Sequence, residues 1–477
     1  MNRNRAALSL LLIVAIGLFT IFFSSCRGKS MNGMVILTQY AGEIKKGNYF
    51  SGDSWRYISQ ANIVAIDPGK PEKPVKLLTG GFYSALSPDI SYDAGSMLFS
   101  AQQKQNDPWQ IWEMNLNNMK IKQVFSSLEN CIDPAYLPGG RILFSKIDMK
   151  ETMKAGHSLY TCNLDGSDLK RVTFNPHTYF ASSVLKDGRV VTISRQLFPD
   201  NRDPVLMVLR PDGTKSELFY KGLEGSILQS RIRETTNGNI IFTESDSDTL
   251  SGGNLISVKY NRPLHSRVNL TSEIKGSFGP PFPLNSGKLM VSYRSPEAKT
   301  YSLYEFDPDK KSLGSVLYSN ADYNVLEAVA VETHDRPKKL PSEVDFGVKS
   351  GLLFCQDINF TDPLSVSSVS VLNAGMIEVL GIDSTLGVVN VEKDGSVYLK
   401  VIADTPFRIQ TIDEKGKVLN GPGGWIWLRP NERRGCVGCH EDREIVPENR
   451  LSMSVKNPPV VIPVHISKIA EKKISLE

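Results

Sequence analysis

Leu137-Pro138-Gly139-Gly140-Arg141-Ile142-Leu143-Phe144-Ser145 sets a glycine turn directly before a β-type run, and the same pattern returns along the chain. Turns centred on Gly95, Gly140, Gly188, Gly238 and Gly287 stand 45, 48, 50 and 49 residues apart. Each is followed at once by a strand-like run, at 96–100, 141–145, 189–193, 239–243 and 288–292. A second hairpin follows within the unit, as in Ser158-Leu159-Tyr160-Thr161-Cys162-Asn163-Leu164-Asp165-Gly166 leading to Arg171-Val172-Thr173-Phe174. Every unit therefore supplies four short strands. A repeat of about 40 to 50 residues built this way predicts a propeller blade, because so small a sheet can bury its faces only against its neighbours around a ring. Five units are explicit. A sixth is expected from residues 62–66 and 75–78 joined to strands around 327–331 and 351–355, so that both chain ends close the ring and hide its edges. A long sandwich is the competing architecture, and the regular period argues against it.

From about residue 375 the pattern changes to alternating β runs at 376–382, 387–391, 396–402 and 407–412. Turns at Asp394-Gly395, Asp404 and Lys415-Gly416 separate them, which predicts a small β-sandwich. The expected fold is all-β: a signal segment over 1–25, an anchored segment over 26–58 and a six-bladed propeller over 59–372. The small sandwich then covers 373–420, and an irregular C-terminal tail covers 421–477.

That tail carries Cys436-Val437-Gly438-Cys439-His440, the attachment pattern of a c-type haem. Two thiols three positions apart can each add across a vinyl group of one haem, and the histidine that follows lands under the iron as proximal ligand. With six Cys and six His in the chain, chance produces such a string roughly once in a thousand sequences of this composition. The other reading is half of a structural zinc site, which wants a second ligand pair, whereas His465 is the lone Cys or His after His440. The 37 residues after His440 include Pro447, Pro458, Pro459 and Pro463, too little for a helical cytochrome domain, so the haem must lean on the rest of the protein. Its sixth ligand is open: Met453 and His465 lie downstream, and His157, His177, His265 or His334 could reach in from propeller loops. Trp425 and Trp427 are expected to pack on the haem, while Arg429, Arg433 and Arg434 suit either its propionates or a solvated charge run.

Haem is attached to this motif only after export, and the N-terminus fits. Arg3 and Arg5 precede an apolar stretch over 6–23, and Ser24 and Ser25 stand before Cys26, the pattern of a bacterial lipoprotein signal with lipidation at Cys26. An uncleaved signal anchor is the alternative, since Phe23 fits the pattern imperfectly. Either way the bulk is expected outside the cytoplasm, lipid-anchored on the periplasmic side, with surface display left open. The formal charge of +4 loses two positive groups with the signal, which predicts no nucleic-acid partner. Cys131, Cys162 and Cys355 remain; they read as buried thiols, and a disulfide among them is not deducible.

The run Gly424-Trp425-Ile426-Trp427-Leu428-Arg429-Pro430-Asn431-Glu432-Arg433-Arg434-Gly435-Cys436-Val437-Gly438-Cys439-His440-Glu441 resembles the hydrazine synthase alpha subunit-like family. The likeness extends to Val391-Glu392-Lys393-Asp394-Gly395-Ser396, to Ala403-Asp404-Thr405-Pro406 and to Arg171-Val172-Thr173-Phe174-Asn175-Pro176-His177, while the repeats also resemble Tol-type periplasmic propellers. The resemblance implies an exported redox protein in which a six-bladed propeller carries a C-terminal haem domain. It also implies a second haem motif, which this chain lacks. In the family a tyrosine four residues past the motif histidine holds the haem and frees that histidine for zinc; Glu444 stands there instead, so ordinary ligation by His440 is expected. For zinc, Cys131, Asp133 and His157 offer suitable atoms, though nothing in their spacing forces a site.

Three functions stay open. The residues ask least of a lipid-anchored monohaem electron carrier with a redox partner protein. A haem oxidoreductase acting on a small nitrogen or oxygen species, or on peroxide, needs an open iron. The third is a propeller binding module with a structural or sensory haem.

Overall fold

Runs that are apolar on both faces become the inner strands of packed sheets: Ser96–Gln102 and Asn239–Ser245 bury every interior residue. The computed structural model describes residues 31–43, 57–70, 72–148, 156–228, 230–245, 252–360, 374–438 and 449–464. Among them there is no α-helix, only strands in eight sheets and one 3-10 turn, Met453–Lys456. Six sheets are blades of one propeller. Blade 1 runs from Ser84–Ile90 to Ile121–Phe125, blade 2 from Cys131–Leu137 to Lys170–Arg171, and blade 3 from His177–Val184 to Glu217–Tyr220. Blade 4 has five strands, because Ile227–Leu228 and Arg233–Glu234 both pair with Asn239–Ser245. Blade 5 runs from Ser277–Pro283 to Ser312–Tyr318.

Blade 6 differs from the expectation. Its order is Tyr323–Ala330, Val35–Ala41, Asn62–Ile66 and Lys76–Leu77, so the ring is closed by a strand lying N-terminal to the first repeat. Val35–Ala41 falls inside the stretch expected to serve only as anchor. Ser350–Asp357, whose residues 351–355 were expected in this blade, belongs to the second module. Residues 331–349 form an irregular strap between the two modules.

The second module is a sandwich of two four-stranded sheets. One is Thr385–Asn390, Met376–Leu380, Arg408–Ile412 and Val418–Asn420; the other is Arg433–Gly438, Ser350–Asp357, Val397–Ile402 and Val460–Ile462. Leu353, Ile377, Val379, Leu399, Phe407 and Ile462 fill the space between them. Two strands therefore come from the stretch expected to be an irregular tail. Arg433–Gly438 runs parallel to Ser350–Asp357, with Cys436 opposite Cys355.

The sandwich is clamped to blades 2 and 3. The Arg429 guanidinium donates to the Asp212 carbonyl (3.0 Å) and to Asp404 Oδ1 (2.6 Å), and lies over the Phe174 ring. Glu432 accepts from the Lys215 backbone N–H (2.8 Å), and Trp425 Nε1–H donates to the Phe198 carbonyl (2.8 Å). Gly213, at φ +86°, sits under this contact; a Cβ there would collide with the Val172 carbonyl and press on Arg429 Cδ.

Candidate functional site

The strand Arg433–Gly438 carries the first residue of the haem motif to the seam between the modules. Cys436 lines a cavity of about 440 Å³ there, within the range of cofactor sites. The sandwich contributes Leu353, Cys355, Val397, Leu399 and Trp427, and the propeller contributes His177, Ser194, Arg202, Val205 and Met207 from blade 3. The apolar wall would exclude water from a flat aromatic group.

His177 is the chemically distinctive member. It opens the innermost strand of blade 3, next to Asn175-Pro176, and pairs with Gln196 on the following strand. Only a minor part of the residue remains accessible, and its Nε2 is sealed from solvent with no hydrogen-bond partner. Its Nδ1 lies 2.8 Å from Ser194 Oγ. Burial, reinforced by the nearby Arg202 guanidinium, pushes its pKa down to about 3, so the ring is neutral at ordinary pH.

Positive charge gathers at one edge. Arg408 packs its guanidinium over the Trp425 ring (4.7 Å), its Nε is buried without a partner, and burial together with Arg202 holds its pKa below the usual value. Arg202 pairs with Asp200 at the partly exposed surface (3.1 Å). Of these two cations Arg202 lines the cavity, and Arg408 stands behind Trp425 outside the lining.

Of the cations expected to meet propionates, Arg434 lines the cavity but is already paired, and Arg429 and Arg433 do not line it. Arg429 is held by Asp404 and Asp212, and Arg434 donates through Nε (3.1 Å) and Nη2 (2.8 Å) to the buried Glu432. Arg433 is exposed. Trp425 packs on Phe198 and Arg408, while both tryptophans also line the cavity.

Other expected ligands are placed apart. Met453 begins the 3-10 turn, its backbone N–H donating to Asp394 Oδ2 (2.8 Å), and does not line this cavity. Cys26, Cys439, His440, Glu444 and His465 lie outside the described residues. His265 and His334 are exposed. His157 is buried against Tyr57 Oη (2.5 Å) and Thr178 Oγ1 (3.4 Å). The Asp133 carboxylate takes bonds from Ser87 and Ala181, and Cys131 directs its thiol to the Glu129 carbonyl. Cys131, Asp133 and His157 are therefore engaged separately, and no cluster of three metal-ligating side chains occurs among the described residues. Cys131 and Cys162 form no disulfide; burial pushes their thiols up to about 12 and about 11.

Residues 360–441 match the family model of the hydrazine synthase alpha subunit middle domain. The hydrazine synthase subunit alpha of Kuenenia stuttgartiensis is 23% identical over 496 residues, covering 77% of this chain and 61% of the relative. The chain is hydrazine synthase alpha subunit-like. The solved Kuenenia stuttgartiensis hydrazine synthase superposes with a TM-score of 0.77 at 19% identity, over 89% of this chain and 72% of that one, so the two share a fold. TolB from Acinetobacter baumannii aligns at a TM-score of 0.43 and 15% identity, over 63% of this chain and 66% of that one, a level that carries no structural argument. For this hydrazine synthase alpha-like chain, the matched segment takes in most of the sandwich and ends across the haem motif, while His177, Arg202 and the strap lie outside it.

Signals for the site were uneven. Cys436 and His177 were visible as residue types, but Arg202 and Arg408 were not singled out, because they belong to different modules and meet only across the seam.

Proposed function

We propose that this chain is a haem c oxidoreductase of the hydrazine synthase-like kind, acting on a small nitrogen species at a haem held by Cys436, Cys439 and His440. The observation that carries the reading is the apolar cavity at the seam, which opens beside Cys436. Haem bound there supplies an iron that can change oxidation state and bind a small ligand. The chain's own residues shape the setting. Cys436 stands on a strand held by five paired residues to Ser350–Asp357, which supports its role as an attachment thiol. Leu353, Val397, Leu399 and Trp427 give the chamber an apolar wall, and Arg202 offers a cation to a propionate at its edge. The name of the relative, a subunit, supports a partner protein. Export belongs to the same reading, because covalent haem attachment takes place outside the cytoplasm, and the signal pattern before Cys26 adds a lipid anchor to it.

A second reading is electron transfer without substrate chemistry. It is favoured by the sealed, neutral His177 beside the cavity, a group suited to closing an iron rather than leaving it open.

Co-expression with a cytochrome c maturation system should yield one covalently bound haem, seen as added mass and a pyridine haemochrome spectrum, and lost in Cys436→Ala. A wild-type protein that matures without covalent haem would overturn the proposal. Spectral shifts on adding hydroxylamine, hydrazine or nitric oxide favour substrate chemistry, whereas inertness to all three favours electron transfer.

A further inference from the structure

We infer that Cys355 and Cys436 form a reversible cross-strand disulfide, which withholds the attachment thiol until the bond is reduced; the second half of this rests on the haem reading above. The two residues stand opposite each other where Arg433–Gly438 runs parallel to Ser350–Asp357. Both are reduced thiols in this structure. Partners in register on parallel strands project from the same face of the sheet, and neighbouring strands lie about 4.8 Å apart. That spacing falls within the range of about 4.4 to about 6.8 Å between Cα atoms that a disulfide spans. Both side chains pack against the same apolar core of the sandwich, and both line the seam cavity. Each is only partly buried, so an oxidant can reach it. Arg433–Gly438 is an edge strand of its sheet, and Gly435 has open space where a Cβ would stand, so the backbone can make the small adjustment that brings the sulfurs together.

The other thiols among the described residues, Cys131 and Cys162, are fully buried in blade 2 and do not line the seam. The oxidant is a disulfide, small or protein-borne, of the kind an oxidising compartment supplies. One cysteine thiolate attacks a sulfur of that disulfide, expels the other as a thiol and forms a mixed disulfide. The second cysteine then attacks the mixed bond. One S–S bond forms as one breaks, the two thiol protons end on the two departing thiols, and the cysteine pair loses two electrons to the oxidant. Thioether formation adds the sulfur and hydrogen of the Cys436 thiol across a vinyl group. A Cys436 held by Cys355 has no S–H to add, so the cross-strand bond and haem attachment at Cys436 exclude one another.

The test uses the full chain, produced without a haem maturation system and equilibrated in mixtures of oxidised and reduced glutathione. After alkylation and proteolysis, mass spectrometry should find a peptide joining Cys355 to Cys436. Its yield should grow with the oxidised fraction, and dithiothreitol should abolish it. Cys355→Ala should lose the joined peptide, and Cys355→Ser gives the same readout if the first variant does not fold. In the chain matured with haem the joined peptide should be absent, and Cys355 should take up one alkyl group. A Cys355 that stays fully alkylated at every glutathione ratio, with Cys436 reduced or bonded to Cys439 alone, would overturn the inference. So would a joined peptide that persists at full yield in the haem-matured chain. Absence of the joined peptide removes this inference only, whereas a joined peptide in a chain that never takes up covalent haem removes the haem reading and leaves the bond standing.

Discussion

Asp133 is fully buried near the axis of the propeller, in the left-handed region at φ +55°, where the first strand of blade 2 bulges. Its Oδ1 accepts from Ser87 Oγ of blade 1 (2.8 Å) and its Oδ2 from the Ala181 N–H of blade 3 (2.9 Å). Ser87 and Ala181 occupy the matching bulges of their own blades, at φ +58° and +53°. One carboxylate thus ties three blades together, and Glu327 does the same kind of work next door by accepting from the Ser87 N–H (2.8 Å). Truncation to Asp133→Ala leaves two buried donors unmatched, at about 1 to 3 kcal/mol each. The variant should lose about 3 kcal/mol in urea unfolding, and Asp133→Asn, which keeps one acceptor, should lose less; an unchanged midpoint in Asp133→Ala would refute the clasp. Asp133 could be read in the sequence as a possessor of metal-binding oxygen, but not as a clasp. Its partners lie 46 and 48 residues away, one repeat to either side, and that spacing becomes a contact only when the ring closes. His177 was likewise legible as a histidine, while its orphaned nitrogen depends on a serine brought beside it by hairpin register.

The segment Arg429-Pro430-Asn431-Glu432-Arg433-Arg434 reads as a cationic run, yet it is an element that docks one module on the other. Glu432 decides this. It is 1% exposed and accepts from the Arg429 N–H (2.8 Å), the Lys215 N–H (2.8 Å) and the Arg434 guanidinium. Its negative charge lies between two buried guanidinium groups, and Asp404 balances the other side of Arg429. Burial holds the Asp404 carboxyl above its usual range despite the facing Arg429. Removing one member of such a network strands the others in a dry site, at about 3 to 5 kcal/mol. Glu432→Ala should therefore loosen the seam while leaving the blades folded. Hydrogen exchange followed by mass spectrometry should quicken across residues 210–216 and 429–438; equal protection in variant and wild type would show that the clamp is dispensable. Glu432 stands in the run itself, but its Lys215 partner comes from blade 3 and Asp404 from a turn of the sandwich, so the network was only partly visible in the local sequence. The blades were legible for the opposite reason: their strands pair with close sequence neighbours, and several turns repeat the Asx geometry seen at Asp165, Asp187 and Asp212.

At the scale of the whole molecule, the ring depends on a strand that no repeat announces. Val35–Ala41 lies between Tyr323–Ala330 and Asn62–Ile66, so its partners sit at opposite ends of the propeller sequence. A periodic reading finds strands that recur, and this one occurs once, separated from its nearest partner by residues unlike a tight turn. Physically it is indispensable. Val35, Ile36 and Leu37 are at most 4% exposed, and burying each contributes about 1.5 to 3 kcal/mol. Their sum is comparable to the about 5 to 15 kcal/mol that holds a typical domain together. Loss of the strand also exposes the backbone edges of Tyr323–Ala330 and Asn62–Ile66, both long enough to template pairing between chains. A chain beginning at Tyr57 should consequently fail to close blade 6 and should elute as aggregate in size-exclusion chromatography, whereas one beginning at Met31 should be monodisperse with a cooperative melt. Supplying residues 31–43 as a separate peptide should restore solubility, because the strand docks by backbone pairing on both sides. A monodisperse, cooperatively melting chain from Tyr57 would mean that the ring closes through some other segment, and the topology of blade 6 would then have to be redrawn. The cavity at the seam offers an internal control: it lies on blade 3 and the sandwich, away from blade 6, so peptide rescue should restore blade 6 without altering it.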